Sequence, residues 1–234
     1  MRRRATEGTA PLEPFRTIVA DPGWPYGDKL PGKKRGASKN YKTMRVDEIA
    51  RYLGGAEMLE ELAEQGRRSH PLIAKDARLF LWRVAPMQEE ALHVMRAWGF
   101  GVPVSELVWC KTTKEDDELL NMIVKFHRGS SDTWEPSTLP TLLHKLRAID
   151  FGMGRTFRMG HETCLVGKRG RPLRLSASER SVLFAPIRAH SEKPEEFFER
   201  VERISPGPYL ELFSGGHRRP GWTCLGEAHR ETTD

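Results

Sequence analysis

The chain has 234 residues, 38% hydrophobic and 30% charged, with six Trp; this suits one α/β domain with insertions and a true core, or else two small domains. Lys and Arg exceed Asp and Glu by 38 to 32 and the isoelectric point is near 9.3, which favours a polyanionic partner without requiring one. The composition argues against a metal site, because the histidines form no His-Glu-x-x-His pattern, and against a disulfide framework, because Cys110, Cys164 and Cys224 are far apart with no Cys-x-x-Cys pair. The polar, basic start and the lack of any long apolar run speak against a signal peptide or a membrane span, so a cytoplasmic location with reduced thiols is expected.

Residues 1–14 read as a basic tail, able to touch phosphate or simply solvated. Phe15 to Ala20 is a β-type apolar run that ends in Asp21-Pro22-Gly23-Trp24, where Pro and Gly force a turn. Such a stretch delivers a carboxylate, main-chain carbonyls and an aromatic face to the carboxyl edge of a sheet, where open α/β folds bind ligands. The plainer reading is a strand, an ordinary turn and a half-buried Trp. Tyr26 to Lys42 is a Gly- and Lys-rich loop holding Lys33, Lys34 and Arg35 and ending in Asn40-Tyr41; it is either a phosphate-neutralising lid or arm or a flexible solvated loop. From Val46 to Gln65 apolar residues recur at helical spacing (Val46, Ile49, Leu53, Ala56, Leu59, Leu62), which predicts one helix with a core stripe. A strand over Arg78–Val84, a helix from Pro86 to about Trp98 stopped by Gly99, and a strand over Glu106–Lys111 follow.

The segment from Thr112 to Ile149 breaks the pattern. Two short helices, Asp116–Phe126 and Thr141–Ala148, are predicted around a Ser/Gly/Pro-rich break. The segment is read as an inserted target-recognition or lid element, or equally as a structural insertion or dimer contact. Phe151-Gly152-Met153-Gly154-Arg155 is a turn, because no strand precedes it. Strands are predicted over Glu162–Gly167 and Ser181–Pro186, then an amphipathic helix from Pro194 to Ile204 with Phe197, Phe198, Val201 and Ile204 facing the core. The strand Tyr209–Phe213 runs into Ser214-Gly215-Gly216, where a backbone can approach a ligand closely. Trp222 to Leu225 is the last strand. Glu227 follows it, at a position where an acid commonly takes ribose hydroxyls, or else is a surface acid. Strands alternating with helices predict an α/β sheet, here a single domain over 15–234 with its insertion at about 112–149.

Asp21–Trp24 resembles the Asp-Pro-Pro-Trp signature of amino-directed adenine methyltransferases. Leu79–Trp82, Leu107–Lys111, Phe157–Gly167 and His190–Ala228 resemble, in the same order, further segments of the MT-A70 family. The resemblance runs from about Arg16 to Ala228, except from roughly Lys114 to Arg147. It implies a Rossmann-like fold dependent on S-adenosylmethionine, circularly permuted so that the catalytic signature precedes the cofactor loop. The implied reaction is methyl transfer to the exocyclic amine of adenine in nucleic acid. By this resemblance Asp21 and the carbonyls of Pro22 and Gly23 hold the amine and Trp24 stacks on the base. Tyr41 and Glu162 lie near the target adenosine, and Lys33, Lys34 and Arg35 meet nucleic acid. Asp21, Ser191, Lys193, Glu211, Phe213, Gly215, His217, Arg218 and Glu227 surround the cofactor, with Lys193 toward its carboxylate and His217 and Arg218 toward its ribose. Gly23 stands where the family has a second Pro, which keeps the carbonyl and loses stiffness; Glu227 stands where it more often has Asn. Compact bacterial and phage relatives favour DNA as substrate. RNA, or a catalytically silent nucleic-acid-binding subunit, is the alternative, and monomer and homodimer both stay open.

Overall fold

Strand β1 (Phe15–Ala20) is buried along nearly its whole length, with only Arg16 exposed. Burial on both faces suits an interior strand of a parallel sheet, and the Ile18-Val19-Ala20 run provides it. The computed structural model describes residues 13–25, 43–65, 72–113, 156–157, 159–188 and 192–226. They divide into two units. One takes the residues up to Ser105, Leu165–Ser176 and those from Ser205; the other takes Glu106–Cys164 and Ala177–Ile204.

In the first unit β1 lies between two parallel neighbours, β2 (Ile73–Arg83) and β6 (Tyr209–Leu212), and β7 (Trp222–Leu225) continues the sheet in parallel beyond β6. One face is covered by α1 (Val46–Tyr52), α2 (Ala56–Glu64) and α3 (Gln88–Ala97). Their buried residues Ile49, Met58, Leu62, Ala91, Val94 and Met95 join Ile18, Leu79, Leu81 and Leu210 in one core. At its amino end β1 is pinned by the buried Thr17 hydroxyl, 2.6 Å from the Ser205 hydroxyl and 2.7 Å from the Pro206 carbonyl.

In the second unit, which holds all of β3 (Ser105–Thr112) but its first residue, β3 pairs in parallel with β5 (Val182–Pro186), and the Trp109 indole N–H donates to the Ala185 carbonyl at 2.9 Å. Helix α4 (Glu195–Ile204) buries Phe197, Phe198 and Val201. Its Arg200 guanidinium donates to the Arg180 and Val182 carbonyls, and its Arg203 pairs with Glu179 at 2.8 Å. Strand β4 (His161–Arg169) begins in the second unit and ends in the first.

The predicted strands and the helix ending at Ile204 are present, and Ile204 itself is half-buried. The single helix expected over Val46–Gln65 is instead α1 and α2. The apolar spacing continues across Gly54-Gly55, but Gly54 has φ 83° and a Cβ at Gly55 would lie 2.6 Å from the Arg51 carbonyl oxygen, so no helix passes through. Leu59, expected in the core stripe, is 45% exposed. A short 3-10 turn, Ala85–Met87, holds Pro86 and precedes α3. The tail at 1–12, the helices expected between Asp116 and Ala148 and the Phe151–Arg155 turn lie outside the described residues. Leu210 is fully buried on β6; Leu210→Ala is expected to lower stability by about 2–5 kcal/mol, read as a drop in the urea midpoint.

Candidate active site

The site is built by register. Ala20 pairs with Leu81 and with Leu212, and Leu212 with Leu225, so β1, β6 and β7 end level while β2 runs on to Arg83. The next residue on each therefore emerges at the same carboxyl edge: Asp21 after β1, Trp82 along β2, Phe213 after β6 and Gly226 after β7. The Asp21 N–H donates to the Leu212 carbonyl at 3.4 Å, the Ser214 N–H to Leu225 at 3.0 Å and the Gly215 N–H to Gly226 at 3.1 Å. These bonds place the Asp21 main chain directly beside the turn at Phe213–Gly215. The half-buried Glu211, one residue inside β6, accepts from the Cys224 thiol at 3.6 Å. His217 and Arg218 follow the turn and are exposed.

Phe213 has φ 61°, a left-handed conformation that a bulky side chain rarely adopts. Two neighbours hold it there. The Tyr52 ring packs on the Phe213 ring at 4.6 Å between centroids. Gly226 (φ 82°) approaches so closely that a Cβ would lie 2.9 Å from the Phe213 Cα. Helix α2 grips the same strand end through two side chains. The Gly226 N–H donates to both Glu61 carboxylate oxygens, at 3.0 and 2.9 Å, and the Gln65 amide donates to the Cys224 carbonyl at 3.3 Å. The Tyr52 hydroxyl donates to Glu61 at 3.3 Å. Burial, followed by the charges of Glu61 and Glu57, pushes the Tyr52 phenol well above its ordinary value, so it remains a donor.

The expectation of an exposed, stacking Trp24 requires correction. Trp24 is 2% exposed and packs into the core of the first unit. Its indole N–H donates to the Trp82 carbonyl at 2.9 Å. A turn residue with a large apolar ring and one donor is more stable wedged between strand ends than on the surface, and here it braces the signature. Pro22 is buried beside it. Gly23 is not among the positive-φ glycines, so its departure from proline is not a demand of the backbone; its carbonyl accepts from the Met44 N–H at 2.8 Å.

In the second unit Glu162, at the start of β4, bonds Lys111 at 2.8 Å and Lys193 at 3.3 Å. The Lys193 side chain is only 9% exposed, so it is not the solvated lysine of a simple capping turn. Burial alone would raise the Glu162 carboxyl; Lys193 and Lys111 outweigh this and hold it below its ordinary value of 4.5. Tyr41, Lys33, Lys34, Arg35, Ser191 and Glu227 lie outside the described residues. Tyr52, Glu61 and Lys111 were not singled out by sequence reasoning, because each is defined by a contact distant in the chain. Among the described residues no cluster of His, Cys, Asp and Glu is arranged for a metal, and no helix is long and apolar enough to cross a membrane.

Two outcomes follow from this geometry. Trp24→Ala removes a buried ring and leaves the Trp82 carbonyl without that donor, and is expected to cost about 3–5 kcal/mol of stability, seen in chemical denaturation. The depressed Glu162 carboxyl contributes stability that is complete above pH 4.5 and is lost as the pH falls through its lower folded value. Glu162→Gln should therefore be less stable than wild type near neutrality, and the gap should close in acid-unfolding curves below that value.

Residues 140–228 match the family model described as MT-A70. The chain is 29% identical over 218 residues to the N(6)-adenosine-methyltransferase MT-A70-like protein of Drosophila melanogaster, covering 92% of this chain and 27% of that protein. It is 27% identical over 218 residues to the human N(6)-adenosine-methyltransferase catalytic subunit METTL3, covering 92% of this chain and 28% of that one. A shorter match, 27% over 104 residues, links it to the Type II methyltransferase M.MunI of Mycoplasma sp, covering 43% of this chain and 44% of the other. The chain thus spans little more than a quarter of the length of the fly and human relatives. With the family model matched over residues 140–228 and these relatives aligned over nine-tenths of its length, the chain is similar to MT-A70 proteins.

Proposed function

We propose that this chain transfers a methyl group from S-adenosylmethionine to the N6 amine of adenine in nucleic acid. The observation that carries the reading is the adjacency of Asp21 to the Phe213–Gly215 turn, fixed by the Asp21 N–H to Leu212 carbonyl bond at 3.4 Å. The residues at this edge suit the cofactor. A carboxylate suits a cationic centre, and a Cβ added at Gly216 would meet nothing within 4 Å, which leaves that backbone open to a ligand. Bound there, the cofactor supplies a methyl group made electrophilic by its sulfonium.

The chain's own task is to orient a weak nucleophile. The adenine amine is a poor one because its lone pair conjugates with the ring. The Asp21 carboxylate accepts one amine hydrogen and the Pro22 carbonyl the other, which localises the lone pair toward the methyl. Preorganised acceptors also stabilise the positive charge that grows on nitrogen as the bond forms. Asp21 is then placed to take the proton that the methylated amine releases. Trp24 serves by holding this turn in place.

RNA is the favoured substrate. The fly and human relatives carry N(6)-adenosine in their names, and adenosine is the ribonucleoside, whereas the DNA preference drawn from compact bacterial relatives has only the shorter type II match beside it. The net charge of +6 suits either polyanion.

The test is methyl transfer from labelled S-adenosylmethionine to RNA and DNA oligomers of one sequence. Asp21→Ala is expected to lose about 10²–10³-fold in turnover while keeping its fold and most of its cofactor affinity. Full activity in that variant would refute the role of Asp21, and transfer to DNA alone would refute the RNA preference.

A further inference from the structure

We infer that Glu61, with Tyr52, is a positioning device for the cofactor-facing turn: a clamp on α1 and α2 that sets the conformation of Phe213 and Gly226. The inference rests on the methyltransferase reading above and adds residues that reading does not use. The Gly226 N–H, first beyond β7, is taken by a helix side chain rather than by a strand, and both Glu61 oxygens share it at 3.0 and 2.9 Å. A hydrogen bond to a carboxylate is roughly twice as strong as one between neutral groups. The same carboxylate accepts from the Tyr52 hydroxyl at 3.3 Å, and the Tyr52 ring lies on Phe213. One anionic group therefore governs both partners of the close Phe213–Gly226 contact. Gln65, one helical turn on, ties α2 to the Cys224 carbonyl and fixes the helix against the strand.

Both clamped residues are in left-handed backbone conformations, and glycine has the widest alternatives of any residue. Without the clamp the turn samples other shapes. Apparent cofactor affinity then falls by the fraction of molecules still in the competent shape. Once cofactor saturates the site, that shape is restored and the chemical step proceeds as before. A clamp thus shows itself in affinity and not in saturated turnover.

The experiment measures S-adenosylmethionine binding by calorimetry, and turnover at saturating cofactor, for the full chain and four variants. Glu61→Ala should raise Kd about tenfold and leave saturated kcat within about twofold. Glu61→Gln keeps a carbonyl acceptor for the Gly226 N–H and should recover Kd to within about threefold of wild type. Tyr52→Phe keeps the ring on Phe213, loses the hydroxyl and should weaken Kd by about threefold. Glu60→Ala, an exposed neighbour on the same helix, should bind as wild type does. Unchanged Kd in Glu61→Ala, or an equal rise in Glu60→Ala, overturns the clamp, as does a loss confined to kcat. If Glu61→Ala proves unfolded in a thermal melt, wild-type Kd in both Glu61→Gln and Tyr52→Phe overturns it. A wild-type chain that binds no cofactor overturns the methyltransferase reading and the clamp with it, whereas normal wild-type binding with unaffected variants overturns the clamp alone.

Discussion

The parallel ladder that sets β1 between β2 and β6 is the constraint on which the site depends. Ala20 has Leu81 on one side and Leu212 on the other, and Leu212 has Leu225 beyond it. A shift of one residue in either ladder would carry Asp21 about 3.3 Å along the sheet and turn every side chain of the strand to the opposite face. Burial of both faces makes such a shift costly. The pairing of β1 with β6 is further tied at its amino end by Thr17 with Ser205 and Pro206, and at its carboxyl end by Asp21 with Leu212. A short strand held at both ends gives a carboxylate a defined position without any rigidity of its own.

Behind that edge the first unit uses its interior for polar work as well as for packing. Trp24 reaches back to Trp82, Trp98 donates its indole N–H to the Ala50 carbonyl at 3.1 Å, and Glu61 reaches across to Gly226. Each bond joins an apolar or half-buried side chain to a main-chain group at the end of a strand or in the last turns of a helix, where backbone groups lack ladder partners. The outcome is a scaffold in which the turns, and not only the strands, have fixed partners.

The strands were legible in the chain because Ile18-Val19-Ala20 and Leu79–Trp82 are apolar runs and Tyr209–Phe213 is an apolar stretch, broken only by Glu211, that runs into Ser214-Gly215-Gly216. The helix ending at Ile204 was legible from Pro194 and the spacing of its phenylalanines. The split at Gly54-Gly55 was not, because apolar periodicity has the same phase on both sides and takes no account of backbone angle. Trp24 read as a surface ring because a Pro-Gly turn suggests exposure; nothing local reveals that Trp82, on another strand, waits to accept its N–H. Phe213 in a left-handed turn runs against residue preference and becomes intelligible only once Tyr52 and Gly226 are seen around it. The pairing of Lys193 with Glu162 is of the same kind: a contact between residues of different elements, invisible to spacing.

The hydrogen bond from Met44 to the Gly23 carbonyl at 2.8 Å closes a circuit in the chain. The backbone that leaves the Asp21–Trp24 turn is back against it by Met44. The Asp21–Trp24 turn is thus tied to the first unit on both sides, by Asp21 to Leu212 and by Gly23 to Met44.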